Sequence, residues 1–157
     1  FSSAAINSLK REESKKLDFW YRASYVHQLL IARKFNERFS LAVNPSFVHR
    51  NLVETELDPN DIWAVGFGSR FKLTKRFSLN AEYYYVFQPR NDFQSNNTYN
   101  PLSIGVDIET GGHVFTITLT NSLAMIEKAF IAETTGDWRD GGIHLGFNIS
   151  RVFNLKR

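Results

Sequence analysis

The stretch from residue 63 to residue 87 reads WAVGFGSRFKLTKRFSLNAEYYYVF, and it decides the fold class. Apolar and aromatic side chains occupy nearly all odd-numbered positions on both sides of Thr74-Lys75-Arg76, whereas most even-numbered positions are small or polar. A period of two is typical of a β-strand with one apolar face. If Leu73 lies opposite Phe77 across the short turn, Phe67 lies opposite Tyr83 and both apolar rows share one side of the sheet. The stretch therefore predicts a hairpin with one continuous apolar face.

An upstream hairpin is predicted in the same way. Phe35 can lie opposite Phe39 across a short turn, and this register pairs His27 with Phe47. His27 then falls on the apolar face of its strand, where an ionisable side chain is unexpected unless it lies near a membrane interface or another protein.

Further strands follow downstream. Residues 102–109 and 114–120 alternate in the same manner, and Gly111-Gly112 supplies the two-residue turn with positive φ that their parity requires. A last strand is predicted from about 143 to 153, and a weaker one at 1–9. The chain thus carries seven clear strands and a weaker eighth.

Long connections alternate with the short turns along the whole chain. They cover about residues 10–17, 50–61, 88–101 and 121–141. This order is typical of outer-membrane β-barrels, in which tight periplasmic turns lie on one side of the membrane and longer loops on the other. We therefore predict an all-β fold, an antiparallel up-and-down transmembrane β-barrel.

Composition limits the other classes. Mean hydropathy is −0.30, and no run approaches the ~18 consecutive apolar residues that a transmembrane helix needs. The chain has no cysteine, which excludes disulfides and thiolate sites. Its formal charge of +3 comes with basic residues interleaved with acids, as at 10–16, so we expect no nucleic-acid partner.

The length of 157 residues predicts one domain covering 1–157. Phe1 resembles the middle of a strand, so we expect an N-terminal portion to be missing. An open sheet edge in lipid leaves backbone groups unpaired at a cost of several kcal/mol each. We therefore expect the seven to eight strands to form part of a larger barrel.

The apolar row of the strands is predicted to face lipid. The candidates are Trp63, Val65, Phe67, Phe71, Leu79, Tyr83, Ile104, Val106, Phe115, Ile117, Leu119, Leu145 and Phe147. Aromatic residues cluster towards both ends of the strands, as expected for two interfacial girdles.

The opposite row is predicted to line the lumen. Its polar candidates are Arg22, Gln28, Asn44, Arg70, Lys72, Asn80, Glu82, Asp107, Glu109, His144 and Asn148. Arg70 lies diagonal to Glu82 in the predicted register, and buried charges need partners. A filled interior with salt bridges and a selective aqueous pore both remain open.

No catalytic, cofactor or metal site is predicted. The four histidines lie on different strands without metal-ligand spacing. His144, Asn148 and Ser150 share one face, so a lipid hydrolase in the barrel wall is an alternative, which loss of activity in Ser150→Ala would support. Because such a site should open towards lipid and these residues belong to the polar row, we expect no enzyme.

The connection from 121 to 142 differs from the others. Leu123, Ile126, Phe130 and Ile131 approximate helical spacing, which predicts a short helix. We expect a self-packed loop that covers the barrel mouth, with a lumen lid or a docking surface as alternatives.

Several segments resemble an uncharacterised β-barrel family of Bacteroidota outer membranes. They include SIGVDIETGGHVF at 103–115, EKAFIAETTGDW at 127–138 and GFNISRVF at 146–153, and also DFWYR at 18–22 and FVHRNLV at 47–53. The resemblance implies location and architecture, and it implies a longer N-terminus. It transfers no catalytic residue, because the family carries no established activity.

Together these patterns predict an integral protein of the outer membrane of a Gram-negative bacterium. Its partners would be the lipid bilayer and, through the long loops, other envelope proteins. We expect a structural subunit of an envelope assembly or a small channel. A soluble or periplasmic lipid-binding barrel is the alternative, and it requires the row from Trp63 to Leu73 to face an interior cavity.

Overall fold

The computed structural model describes residues 1–7, 19–53, 58–87 and 98–151, and one antiparallel sheet dominates it. The strands are β1 (Ser2–Ile6), β2 (Ala23–Gln28), β3 (Ile31–Lys34), β4 (Phe39–Arg50), β5 (Asp61–Lys72), β6 (Phe77–Phe87), β7 (Leu102–Thr110), β8 (His113–Thr120) and β9 (His144–Arg151). A 3-10 turn (Phe19–Arg22) precedes β2, and one helix, α1 (Glu127–Ala132), lies between β8 and β9. The predicted all-β fold is confirmed.

The sheet follows chain order from β1 to β9, with β2 and β3 both paired to β4. The pairs Gln28–Ser46 and Ile31–Val43 continue one register, so β2 and β3 form a single interrupted strand. The interruption lies opposite Pro45, which has no N–H to donate; the Leu29 N–H still donates to the Pro45 carbonyl at 3.0 Å.

Each short turn has a local reason in the sequence. The Asn36 carboxamide accepts hydrogen bonds from the N–H groups of Arg38 and Phe39, both at 2.8 Å. The Thr74 hydroxyl accepts from two N–H groups of the next turn in the same way. Gly111 and Gly112 have φ of +51° and +107°. Such side-chain turns and positive φ values are the ordinary means of reversing a strand.

The predicted register is confirmed in both hairpins. Phe67 pairs with Tyr83, as predicted from a match across Thr74-Lys75-Arg76. His27 pairs with Phe47. The two-residue turn at Gly111-Gly112 joins Thr110 to His113.

The sheet curls into a half-barrel. In the described part of the chain, β1 pairs with β2 only and β9 with β8 only. The convex surface carries the odd-numbered residues of β5 and β6, and the concave surface carries their even-numbered neighbours and α1. β5 has 12 residues. At about 3.3 Å per residue and a tilt of 35–45°, a strand of that length rises about 30 Å, the thickness of a bilayer's hydrocarbon core.

One prediction about strand limits needs correction. Arg22 lies in the 3-10 turn and not in a strand, because β2 begins at Ala23. The last strand ends at Arg151 within the described residues. The predicted connection at 10–17, most of that at 88–101, and residues 152–153 lie outside those residues. No helix in the described part of the chain is long and apolar enough to cross a membrane.

Candidate functional site: the convex apolar band and the concave face

All the residues predicted to face lipid lie on the convex surface. Trp63 is 62% exposed and Phe67 44%, and exposed neighbours on β6, β7, β8 and β9 continue the same row. Val65, Val106 and Phe115 are half-buried on the same surface. The row from Trp63 to Leu73 therefore faces outwards, whereas the soluble lipid-binding alternative requires it to face inwards.

Aromatic rings flank this band at both ends of the strands. At the long-loop end Phe47 packs on Trp63 with ring centroids 4.7 Å apart, and Tyr85 packs on Phe87 at 5.0 Å. We call the set Tyr25, Phe47, Trp63, Tyr85 and Phe87 the upper belt. At the short-turn end the rings are Phe35, Phe39, Phe71, Phe77 and Phe115, with Phe35 and Phe39 5.7 Å apart.

Charged groups on the convex surface lie near the strand ends. On the strands that the structure describes, they are Arg33, Asp61 and Arg151, with the histidines His49 and His113. His27 pairs with Phe47, and Phe47 pairs with Trp63, so His27 lies at the level of the upper belt. Its Nδ1 is 3.0 Å from the Ser2 hydroxyl. This position explains how a histidine is tolerated on the apolar face.

The concave face is apolar near the long loops, where α1 packs against it. The buried cluster joins Val26, Val48, Ile62, Ala64 and Tyr84 of the sheet to Ile131 and Ala132 of α1. Ile131 is 2% exposed. Burying a side chain of this size contributes about 1.5–3 kcal/mol, so apolar contact is the main force that holds α1 against the sheet.

Polar contacts fix the orientation of α1. The buried Arg50 guanidinium lies 3.4 Å from the Glu133 carboxylate and donates to the Pro59 carbonyl at 2.9 Å. The Lys128 ammonium lies 2.8 Å from the same carboxylate. Phe130 meets the ring of Tyr84 edge-on, with centroids 5.8 Å apart.

Asn121 and Gly136 also fix the 121–142 connection to its neighbours. The buried Asn121 amide donates to the carbonyls of Asn100 and Gly136 at 3.1 and 2.9 Å, and its oxygen accepts from the Leu102 N–H at 2.8 Å. The exposed Arg139 guanidinium binds the Asp137 carboxylate, which raises the pKa of Arg139. The Asn121 contacts thus join residues 100 and 102 to the 121–142 connection.

Tyr84 brings together three of the predicted lumen residues. Gln28 donates to the Tyr84 hydroxyl at 3.1 Å and to the Ser46 hydroxyl at 3.0 Å. The side chains of Asn44 and Glu82 line the same cavity wall as Tyr84. The ring can lie close to the sheet because its partner on β5 is Gly66.

Gly66→Ala is expected to destabilise the fold by about 1–3 kcal/mol, the usual cost of overpacking. A Cβ at this position would lie 2.5 Å from the Tyr84 ring. Gly68→Ala is the matched control, because its nearest neighbour would be the Ala42 Cβ at 3.8 Å. Urea unfolding of both variants checks the prediction, and equal losses in both would contradict it.

A second cluster surrounds Arg70. Its guanidinium lies 2.9 Å from Glu109 and 3.3 Å from Asp107, both on β7. The Thr116 hydroxyl donates to Asp107 at 2.8 Å. The predicted register is right, but within the described residues Arg70 reaches across β6 to these two carboxylates and forms no ion pair with Glu82.

Two cavities adjoin along the concave face. One of about 350 Å³ is lined by Arg70 and Asn80, and one of about 490 Å³ lies between α1 and β9. Glu82, Ser103 and Thr118 line both cavities.

Comparison with known families tests this description of a curled sheet with an apolar exterior. The family model described as "Membrane bound beta barrel domain (DUF5777)" matches residues 1–153. The chain belongs to this family. The match confirms the resemblance to an uncharacterised barrel family and gives the chain a membrane location. No curated protein and no solved structure matches it.

The remaining lumen candidates of this membrane-bound barrel domain lie at the margins of the concave face. Lys72 is exposed at the short-turn end, and its N–H donates to the Arg38 carbonyl at 2.7 Å. His144 and Asn148 lie on the edge strand β9, paired with Thr120 and Thr116. They contact neither the Tyr84 cluster nor the Arg70 cluster through any hydrogen bond of the described residues.

Sequence reasoning missed the apolar part of the concave face. Val26, Val48, Ile62 and Val86 each stand next to an aromatic residue of the upper belt, so both faces are apolar there. Near the long loops the strands no longer alternate apolar and polar residues. This pattern indicates that the concave face is also a packing surface there. The predicted helix is confirmed, but Leu123 and Ile126 are exposed, because α1 begins only at Glu127.

Two residues of the lipid-hydrolase alternative lie far apart on the last strand. His144 and Asn148 are four residues apart on one extended strand, a separation of about 13 Å that no hydrogen bond spans. Among the described residues, no group of three or more His, Asp or Glu side chains could hold a metal ion.

Proposed function

We propose that this chain is a non-enzymatic structural part of the wall of an outer-membrane β-barrel, with its interior partly filled by α1. The observation that carries the proposal is that the two faces of the sheet differ in what they present. One is a convex apolar band between two aromatic belts, and the other is a concave face on which α1 is buried through Ile131.

The alternation of short turns and long connections supports the outer membrane as the location. All three short turns, at 36–38, 74–76 and 111–112, lie at one end of the sheet, and the long connections lie at the other. Bacterial outer-membrane barrels have this asymmetry. The long-loop end would then face outwards from the cell, where other envelope proteins can be contacted.

The filling of the concave face favours a structural role over an open pore. α1 occupies the inner wall at the long-loop end, and the Arg70 cluster crosses three strands farther down. The paired charges and the packed helix both narrow any aqueous path along the concave face. Neither feature supplies a reacting group, which supports a non-enzymatic role.

A small channel is the second candidate, and the cavities favour it. The two cavities of about 350 and 490 Å³ share Glu82, Ser103 and Thr118, so a continuous path runs beside α1. A solute that used this path would pass hydroxyl groups, the Arg70 guanidinium and the carboxylates of Glu82 and Glu127.

Two measurements on the full chain test the proposal. Fractionation should place the protein with outer-membrane markers, and carbonate washing should not release it. In planar bilayers we expect no single-channel steps, because α1 and the Arg70 cluster narrow the interior. Stable steps would replace the structural role with the channel, and release by carbonate would overturn membrane integration.

A further inference from the structure

We propose that the 3-10 turn Phe19–Arg22 is an interfacial membrane anchor, in which Trp20 lies at the boundary between lipid headgroups and acyl chains. The proposal rests on the proposed membrane-facing role of the convex band and extends it beyond the strands. It names a lipid contact site in a segment that lies outside the barrel wall.

Three consecutive aromatic residues of this turn are exposed. Phe19, Trp20 and Tyr21 are 47%, 65% and 61% exposed, and the rings of Phe19 and Trp20 meet edge-on at 5.4 Å. Three large rings side by side in water are unfavourable, because each leaves a large apolar area hydrated. The exposure of Trp20 and Tyr21 indicates a partner that accepts aromatic rings.

The turn is tied to the convex side of the long-loop end. The Trp20 carbonyl accepts a hydrogen bond from the Asn51 amide at 2.9 Å. The Asn51 carboxamide oxygen lies 2.8 Å from His49 Nε2, and His49 Nδ1 lies 2.6 Å from Asp61. His49 and Asp61 are the convex residues at the ends of β4 and β5. This chain of contacts holds the turn beside the convex surface.

The turn continues the upper belt towards the membrane surface. Tyr25, a member of that belt, stacks on His49 at 6.4 Å. Trp20 lies in the turn that precedes β2, so it lies beyond Tyr25 at the long-loop end of the sheet. The polar residues Asp61 and His49 lie at the same end of the strands, so Trp20 lies at the polar border of the apolar band. Tryptophan prefers this border, because its ring is apolar and its N–H can bond to headgroups or water.

Lipid is therefore the occupant that the position favours. The turn adjoins the apolar band of a membrane-bound family, and aromatic side chains at such depths form the interfacial girdles of barrels. A protein partner would need a surface that reaches into the same boundary layer.

Single-tryptophan variants test the site, since the chain has only three tryptophans. Trp63→Phe with Trp138→Phe leaves Trp20, and Trp20→Phe with Trp138→Phe leaves Trp63. The positive control is Trp63. The negative control is Met125→Trp in a background without the native tryptophans, because Met125 is 88% exposed beside the concave cavity. Each variant is reconstituted in phosphatidylcholine vesicles whose acyl chains are brominated either near the ester end or near the methyl end.

We expect Trp20 to lose most of its emission with bromine near the ester end and less with bromine near the methyl end. Trp63 should be quenched by brominated lipid, and the tryptophan at 125 by aqueous iodide only. If brominated lipid quenched Trp63 but Trp20 were quenched only by iodide, the anchor would be overturned and the membrane band would stand. A Trp20 shielded from both quenchers would mean a protein partner and would also overturn it. An unquenched Trp63 would refute the membrane band itself.

Discussion

Phe67→Arg is expected to lower the stability of the chain in a lipid bilayer by about 2–4 kcal/mol, the cost of an arginine on the lipid face of a barrel near the bilayer centre. Phe67 lies midway between Trp63 of the upper belt and Phe71 at the short-turn end, and its side chain is exposed on the convex surface. Arginine there would place a guanidinium in hydrocarbon with no partner close by. Urea titration of the protein folded into vesicles measures the loss.

Phe77→Arg provides the depth control for this result. Phe77 is on the same surface and equally exposed, but it begins β6 next to the short turn. Near the interface the cost of arginine falls to about 0–1 kcal/mol. If both substitutions cost the same, or if Phe67→Arg improved solubility without loss of stability, the convex band would be facing water.

Ile131→Asp is expected to release α1 from the concave face. Truncation of a buried isoleucine costs about 2–5 kcal/mol, and an unpaired buried carboxylate adds to that cost. Ile131 lies against Val26, Val48 and Ile62. Once α1 leaves, the long-loop end of the interior opens, so the variant should give single-channel steps in planar bilayers, where we expect none from the native chain.

Met125→Asp is the matched control in the same connection. Met125 is 88% exposed and precedes α1, so its substitution should leave both stability and conductance unchanged. Limited proteolysis near Lys128 provides a second readout that does not depend on conduction. If Ile131→Asp remained as silent and as protease-resistant as the native chain, α1 would not be held through its apolar side.

Much of the sheet could be predicted from the sequence, because two local rules act together. The period of two fixes which side chains share a face, and the parity of a short turn fixes the partner across it. The pairing of Phe67 with Tyr83 and the glycine turn at 111–112 follow from these rules alone.

The contents of the concave face could not be predicted in this way. The docking of Ile131 on Val26 and Val48 joins residues that are far apart in sequence, and neither period nor parity specifies such contacts. Arg70 illustrates the same limit. Its diagonal neighbour Glu82 was identified correctly, but its long side chain reaches two strands away to Glu109. The break between β2 and β3 depends on one missing N–H, that of Pro45 on the opposite strand.

The central claim is that the odd-numbered residues of β5 and β6 face hydrocarbon, and a spin-label scan of β6 tests it most directly. The chain has no cysteine, so single cysteines at successive positions from 78 to 87 each carry one label. In reconstituted protein we predict that labels at odd positions collide mainly with oxygen dissolved in the bilayer and hardly with a water-soluble nickel chelate. Even positions should show the opposite preference or protection from both. Access of the chelate to the odd positions, with oxygen favoured at the even ones, would contradict the account.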